Sequence, residues 1–306
     1  MNEIKNKCFR ISVIIPTYKR FDFLKQSLRS ALLQNFSSFE IVIADDGSPD
    51  FPNDKIEQFI IENNPFDIMV KIFHAESNIG TVNNLNHAIA NSCGEIIVIL
   101  AFDDCFSDDN VLTKISEIFD EEKCDILFCR RMECNSSLQP LGNLIPNDFE
   151  ISKIEKEFLN CKSIYKKRIM MLDYNFGSGS AMYYSKTFFV NNGCYDSRYR
   201  LWEDGPFIAK VMRNGCKYCL GYDVVSVNYR TGGISANSNP PKAILEDYVK
   251  YFKYEYEPYK KAFTLVQRAY IDQIRKRFER RAQGKESGII SKIITKFFYL
   301  CIRLGL

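Results

Sequence analysis

Three short runs of mostly β-branched residues, each ending in hydroxyl or acidic side chains, constrain this chain more than anything else in it. Ile11-Ser-Val-Ile-Ile15 stops at Pro16-Thr17-Tyr18, Glu40-Ile-Val-Ile-Ala44 at Asp45-Asp46-Gly47-Ser48, and Ile96-Ile-Val-Ile-Leu100 at Ala101-Phe-Asp-Asp104. Near-continuous apolar runs, rather than alternating ones, suit strands covered on both faces of a parallel sheet. Parallel strands need crossovers, and helical spacing lies where crossovers are required. Phe21, Leu24, Leu28, Ala31 and Leu32 recur at that spacing in 21–35, and 54–62 and Thr81 to Asn91 also read as helices. Ile68 to Phe73 reads as a further strand. The alternation predicts an α/β fold with a doubly wound, mostly parallel sheet flanked by helices. Ligands of such sheets sit at the carboxyl ends of the strands. Thr17, Tyr18, Asp45, Asp46, Asp103 and Asp104 fall there.

The pattern continues with a helix over 111–120, a strand from Asp125 to Cys129, another from Ala181 to Tyr184, a helix from Phe207 to Asn214 and a last strand from Val224 to Tyr229. The stretch 133–175 reads as irregular, with one helical segment. A chain of 306 residues has room for one large α/β domain plus an appendage. The expected division is a domain over 1–239 and a basic helical tail over 240–306.

Charge marks the same division. Residues 242–306 carry 15 Lys/Arg against 7 Asp/Glu, a balance of +8, and the preceding 241 residues carry 26 against 31, a balance of −5. Helices are expected over 242–257 and 259–283, separated by Pro258, and again from Ile289 to Leu304. In the last, Lys292, Lys296, Tyr299 and Arg303 form one polar stripe and apolar residues cover the rest. Two readings stay open: a helix lying on an anionic bilayer surface, or one packed against 259–283. Nucleic acid is not an expected partner, because the basic residues are not interleaved with an aromatic platform. No signal peptide or uninterrupted apolar window of membrane-spanning length is visible. The expectation is therefore a cytoplasmic protein, peripheral on the inner face of the cell membrane. Eleven cysteines at irregular spacing suit buried free thiols better than a disulfide framework.

Adjacent aspartates after a buried strand repel each other, and a hard divalent cation relieves that repulsion. Asp103-Asp104 meets this description, with Asp45-Asp46 at a neighbouring strand end; a turn or helix cap is the plainer use of Asp. His74 and His87 are too few for a catalytic triad or a zinc site and read as structural. Pro16-Thr-Tyr-Lys-Arg20 lacks the glycines of a triphosphate loop, which counts against a nucleotidyltransferase.

In order and spacing, Ser12-Val-Ile-Ile-Pro-Thr-Tyr18, Glu40 to Ser48, Asn78-Ile-Gly80, Ala101-Phe-Asp-Asp104 and Trp202-Glu-Asp204 resemble the family-2 glycosyltransferases over roughly residues 10–235. The resemblance implies a GT-A fold, a nucleotide-diphosphate sugar donor, a divalent metal (Mn²⁺ or Mg²⁺) and inversion at the anomeric carbon. It places Pro16, Thr17 and Tyr18 against the nucleoside and Asp46 on the base, typically uracil. Asp103 falls near ribose or metal, Asp104 on the metal, and Asp204 is the general base with Glu203 beside it. Ala101 stands where many relatives have an aspartate, and Thr81-Val-Asn-Asn84 where many carry an arginine. The Gln-x-x-Arg-Trp signature of processive relatives is absent, which favours transfer of a single sugar. Arg230, in Tyr229-Arg-Thr-Gly-Gly-Ile-Ser235, is either a donor-phosphate contact or a surface ion pair. Gly177-Ser-Gly179-Ser180 is expected to let an acceptor approach the backbone. The expected reaction is sugar transfer to a glycan, lipid-linked, in surface polysaccharide synthesis. The rival from another class is an inactive sugar-nucleotide-binding scaffold at the membrane.

Overall fold

The structure is a computed structural model that describes residues 8–167, 179–232, 241–285 and 288–303. Its first half alternates as the apolar runs predict: β1 (Phe9–Thr17), α1 (Leu24–Leu32), β2 (Phe39–Asp45), α2 (Asn53–Asn63), β3 (Met69–His74), α3 (Thr81–Asn91) and β4 (Gly94–Ile99). The two-residue strand β5 (Cys105–Phe106), α4 (Val111–Glu122), β6 (Ile126–Cys134), β7 (Pro140–Ile145) and α5 (Asp148–Lys153) follow. Then come β8 (Met182–Ser185), α6 (Lys186–Asn192), α7 (Asp204–Asn214) and β9 (Tyr218–Arg230). The described chain ends in α8 (Lys242–Tyr251), α9 (Leu265–Ala282) and α10 (Ile289–Arg303).

The nine described strands form one sheet in the order β3-β2-β1-β4-β8-β6-β9-β5, with β7 pairing off this path to the later part of β6, Arg131 to Cys134. Strands β1 to β4 are mutually parallel. Antiparallel β8 lies between β4 and β6, so β6 and its parallel partner β9 run the same way as β1 to β4. Six strands therefore point one way and β5, β7 and β8 the other.

Side chains alternate between two cores. Ile14, Val42, Ala44, Ile97 and Ile99 face a layer containing α3, α6, α7 and the C-terminal helices. Ile11, Val13, Ile15, Ile41, Ile43, Ile96 and Val98 face a layer containing α1 and α4. Both faces are covered, which is why the runs are apolar almost throughout.

Two elements outrun the sequence reading. β6 continues past Cys129 through Arg130, Arg131 and Glu133, and β9 begins six residues before Val224. Charged residues mask the strand pattern there. The structure accommodates them by pairing Arg130 with Asp148 at 2.9 Å and stacking Arg131 on Tyr229, with its guanidinium 3.9 Å from the ring centre. Bulges between Cys129 and Arg131 also disturb the period-two register. Of the stretch 133–175, expected to be irregular with one helical segment, 168–175 lie outside the described residues, and the rest includes β7 and α5. Asn147 and Glu150 close a reciprocal cap at the start of α5.

The C-terminal helices join the first of these cores. Tyr251, Phe252, Tyr256, Phe263, Tyr270, Ile271, Ile274 and Ile302 share one buried cluster with the sheet. The helical reading of 242–283 is interrupted as Pro258 predicts, by a 3₁₀ segment over Glu257–Ala262. α10 packs on α9 through Thr295, Phe298, Tyr299 and Ile302, with Tyr270 and Tyr299 rings 5.8 Å apart. Its opposite side leaves Ile289, Ile290, Ile293, Phe297 and Leu300 exposed. Among the described residues no helix is long and apolar enough to cross a membrane.

Candidate active site

The carboxyl ends of β1 and β2 lie side by side, Thr17 paired with Asp45. Thr17 is buried at the end of β1, and its carbonyl accepts from the Asp46 N–H at 2.9 Å. Pro16 is half-buried and Tyr18 exposed beside it. Asp46, just past the end of β2, is buried. Its carboxylate accepts from the N–H of Ile79 (2.7 Å), the N–H of Gly80 (3.1 Å) and the Asn78 amide (2.8 Å). Burial raises its pKa, and the Ile79 and Gly80 N–H groups and the Arg200 charge oppose the rise. Neighbouring Asp45 has another role. It holds the turn through Ser48 (N–H 2.7 Å, hydroxyl 2.6 Å) and lies 2.8 Å from His74 Nδ1.

Asp103 and Asp104 follow β4 in a turn closed by the Asp104 N–H on the Ala101 carbonyl, 3.0 Å away. Asp104 is fully buried. One of its oxygens accepts from the Arg230 N–H at 2.9 Å and the other from the Ser180 hydroxyl at 2.8 Å. Burial pushes it up to about 7, helped by the Asp103 charge and opposed by these two donors and by Arg131. Asp103 is also raised by burial, with Arg20 and Arg230 opposing.

Arg230 is buried, not on the surface. Its guanidinium donates to the Asp103 carbonyl (2.9 Å), the Gln26 side chain (2.7 Å) and the Ser136 carbonyl, and it stacks on Phe23. The surface ion pair considered above is thus not its setting. Every guanidinium nitrogen already donates, so Arg230 offers an incoming anion its charge more than a free fork. Gly233 to Ser235, beyond it, lie outside the described residues.

The second acidic pair comes from a different part of the chain. Glu203 precedes α7 and Asp204 opens it, where the helix end favours negative charge. Asp204 accepts from the Gly205 N–H at 2.7 Å and from the Trp202 side chain. Both carboxylates keep some surface, yet protein crowds them and desolvation dominates. Glu203 is pushed up to about 8 by burial, then by the charges of Asp204 and Asp247. Asp204 is raised by burial, but the Gly205 N–H, Trp202 and Arg131 hold it down. Near neutral pH, Glu203 therefore carries a proton, whereas the donors around Asp204 oppose the rise that burial causes there.

Gly179 and Ser180 bring the two pairs together. A Cβ at Gly179 would lie 3.3 Å from Glu203 Oε1 and 3.5 Å from Asp204 Oδ2, so the bare backbone lets both carboxylates approach. The next residue, Ser180, donates to Asp104. Gly177 and Ser178 lie outside the described residues. Sequence reasoning missed Ser180 as an Asp104 partner and missed Arg131 altogether. Arg131 sits on β6 with a buried Nε that has no hydrogen-bond partner, and its charge reaches both Asp104 and Asp204. An arginine inside a strand whose other face is core is the signal that could have found it.

Comparison with known proteins shows the family and the fold. The profile described as Glycosyl transferase family 2 matches residues 12–190, more than half of the chain. This chain belongs to glycosyltransferase family 2. It is 25% identical to the Campylobacter jejuni GalNAc(5)-diNAcBac-PP-undecaprenol beta-1,3-glucosyltransferase, over 70% of this chain and 72% of that one. It is 29% identical to TuaG of Bacillus subtilis, a putative teichuronic acid biosynthesis glycosyltransferase, over 39% of this chain and 45% of TuaG. Other relatives are matched over less of their length: 16% of an uncharacterized Rickettsia conorii glycosyltransferase and 37% of GlyG from Streptococcus pneumoniae. Among solved structures, S. aureus TarS 1-349 in complex with UDP aligns over 97% of this chain and 92% of TarS, with a TM-score of 0.57 at 17% identity. GalNAc-T7 with UDP, GalNAc and Mn²⁺ aligns over 96% of this chain and 56% of its own, with a TM-score of 0.60 at 15% identity. The fold is GT-A, as the motifs implied.

Proposed function

We propose that this enzyme transfers one sugar from a UDP-linked donor to a hydroxyl of a lipid-linked glycan, with inversion, during surface polysaccharide assembly on the cytoplasmic face of a membrane. The observation that carries this reading is the meeting of Asp104 with Glu203 and Asp204 around Gly179 and Ser180. Strand-end carboxylates thereby share one site with a carboxylate suited to act as a base. The Campylobacter relative, named for an undecaprenol-linked acceptor, supports the acceptor class. TarS, crystallised with UDP and with UDP-GlcNAc, supports the donor class.

In this reading Pro16, Thr17 and Tyr18 flank the nucleoside, and Asp46 together with the Asn78–Gly80 loop meets the base. The acceptor hydroxyl attacks the anomeric carbon and a new C–O bond forms. The bond from that carbon to the phosphate oxygen breaks, and UDP leaves with its electrons. Asp204 takes the hydroxyl proton, because a sugar hydroxyl is otherwise a weak nucleophile. Protonated Glu203 spares Asp204 a second negative neighbour. Arg131 and Arg230 set positive charge near the departing diphosphate.

Asp103 and Asp104 would hold a divalent cation, Mn²⁺ or Mg²⁺. Each Asp104 oxygen accepts one hydrogen bond from an uncharged donor and keeps lone pairs free, and its raised pKa marks an undercompensated charge. Among the described residues no group of three or more His, Cys, Asp or Glu side chains is gathered for a metal. Hard cations of this class are held by one or two carboxylates plus substrate phosphates. Once bound, such an ion supplies Lewis-acid stabilisation of the leaving diphosphate.

The split into a 1–239 catalytic unit and a 240–306 membrane-seeking extension belongs to the same proposal. Its support is the exposed apolar side of α10, flanked by exposed Lys292 and Lys296. A panel of nucleotides and nucleotide sugars, each with and without Mn²⁺, tests the donor assignment through the melting temperature. Metal-dependent stabilisation by UDP and one UDP-sugar is expected. Silence from every nucleotide would overturn it.

A further inference from the structure

Asp247 lies in α8, beyond all the motifs above in sequence, and is completely buried. One of its oxygens accepts three consecutive backbone N–H groups: Arg200 at 2.8 Å, Leu201 at 2.7 Å and Trp202 at 3.1 Å. Its other oxygen is 3.0 Å from Lys250 Nζ. Successive amides converging on one oxygen form an anion nest, here filled by a carboxylate from the protein itself. The residues so held run directly into Glu203 and Asp204.

The same loop reaches the Asn78–Gly80 segment that holds Asp46. The Arg200 carbonyl accepts from the Val82 N–H at 3.2 Å, and its guanidinium donates to the Asn78 carbonyl at 3.3 Å and to the Asn78 side chain. Trp202 is wedged between both sides, edge-on to Tyr248 at 4.6 Å and tilted on Tyr251 at 5.1 Å. A Cβ at Gly205 would fall 2.2 Å from the indole, so only glycine there lets it lie against the start of α7.

We propose that Asp247 is a positioning residue for sugar transfer: its carboxylate clasps the 200–202 backbone and so sets Asp204 and the Asn78–Gly80 loop in register with each other. This rests on the function proposed above, and it makes the C-terminal helices a working part of the site. A hydrogen-bonded carboxylate gives a sharper fix than packing alone, since charge-assisted bonds are about twice as strong as neutral ones. Cutting the clasp frees the segment that carries the base without touching the base.

Trp202 is the protein's single tryptophan and bonds to Asp204, so its emission reports the clasp directly. The groups facing the Glu203/Asp204 pair are Arg131 from β6, Tyr184 from β8, Tyr195 from the loop before α7, and Asp247 and Tyr248 from α8. The experiment is a pH titration of Trp202 emission, with acrylamide quenching, on the full metal-free chain. Wild type is expected to show a step above the ordinary carboxylate range that Asp204→Asn removes. Asp247→Asn removes a negative charge, so its step moves to lower pH, and its quenching constant rises by roughly two-fold as the loop loosens. Lys250→Met leaves the clasp but removes its counter-charge, so its step moves to higher pH. This half-exposed position also keeps the test alive should Asp247→Asn fail to fold. Steps and quenching that match wild type in both variants would overturn the proposal, as would a wild type with no Asp204-dependent step. If UDP with Mn²⁺ fails to raise the melting temperature of wild type, the proposed function falls while the fluorescence result stands, so the two failures are separable.

Discussion

Asp103-Asp104 and Glu203-Asp204 are both adjacent acidic pairs in one site, yet the fold treats them differently. The first ends a parallel strand, where Asp104 has a bond on each oxygen and two arginines lie close to the pair. The second stands at a helix start, where Asp204 accepts from Gly205 and Trp202 while burial pushes Glu203 up to about 8. A strand-end pair with arginine support suits a cation and a diphosphate. A pair that divides into one proton-bearing and one proton-accepting member suits general-base work. Adjacent carboxylates therefore do not imply one chemistry; the donors around them decide it.

The sharpest way to break this comparison is to neutralise one pair at a time. Asp204→Asn is expected to lower turnover by about 10²–10⁴-fold, the usual worth of a general base, while UDP with Mn²⁺ still raises the melting temperature. Asp104→Asn is expected to lose that metal-dependent shift as well as turnover. If both variants lose nucleotide binding equally, the division of labour is wrong. A smaller effect is expected from Ser180→Ala, which leaves one Asp104 oxygen short of a donor. Its carboxyl should rise further, and Mn²⁺-dependent UDP binding should weaken by roughly ten- to a hundred-fold, the worth of about one hydrogen bond to a charged group. Titration calorimetry would show this, and unchanged affinity would count against Ser180 as the link.

Stability offers a pH test of the second pair. Glu203 binds its proton more tightly in the folded state, with a pKa of about 8 against an ordinary 4.5. Its contribution to stability is therefore complete below about 4.5 and lost as pH rises through 8. Glu203→Gln keeps the neutral shape at every pH. The variant should melt with wild type near pH 4.5 and some 2–4 °C above it at pH 8, per kcal/mol of ionisation cost removed. A constant difference across that range would mean that Glu203 is ionised throughout.

Much of the first half of the site was legible, because strand ends announce themselves. An apolar run must stop where the sheet stops, and Thr17, Asp46, Asp103 and Asp104 stand at those stops. The motif around Trp202 located the second pair, but nothing local revealed what holds it. Asp247 looks like any helical acid until three amides from 45 to 47 positions away are seen to converge on it. Arg131 was hidden in a strand that charge had disguised. Glycine at 179 told of space but not of whose side chains would fill it. Sequence period exposes what one element does; partners drawn from distant elements leave no period.

The C-terminal helices sharpen the contrast last, and with the smallest expected effect on chemistry. α8 reaches the Arg200–Trp202 loop, whereas the outer face of α10 is exposed. Glutamate at both Ile293 and Phe297 should leave folding and donor hydrolysis near wild type, because both side chains are exposed, each 60% accessible. Binding to vesicles rich in phosphatidylglycerol should fall more than about tenfold, since each buried large apolar side chain is worth about 1.5–3 kcal/mol. Exposed Lys292 and Lys296 add a salt-sensitive attraction to the anionic surface. Sedimentation with such vesicles at low and high salt measures both terms. Should the wild-type chain ignore vesicles and instead dimerise in a way that the double variant abolishes, the face belongs to a second copy of the protein. Turnover on a lipid-linked acceptor would then no longer depend on this helix through the membrane.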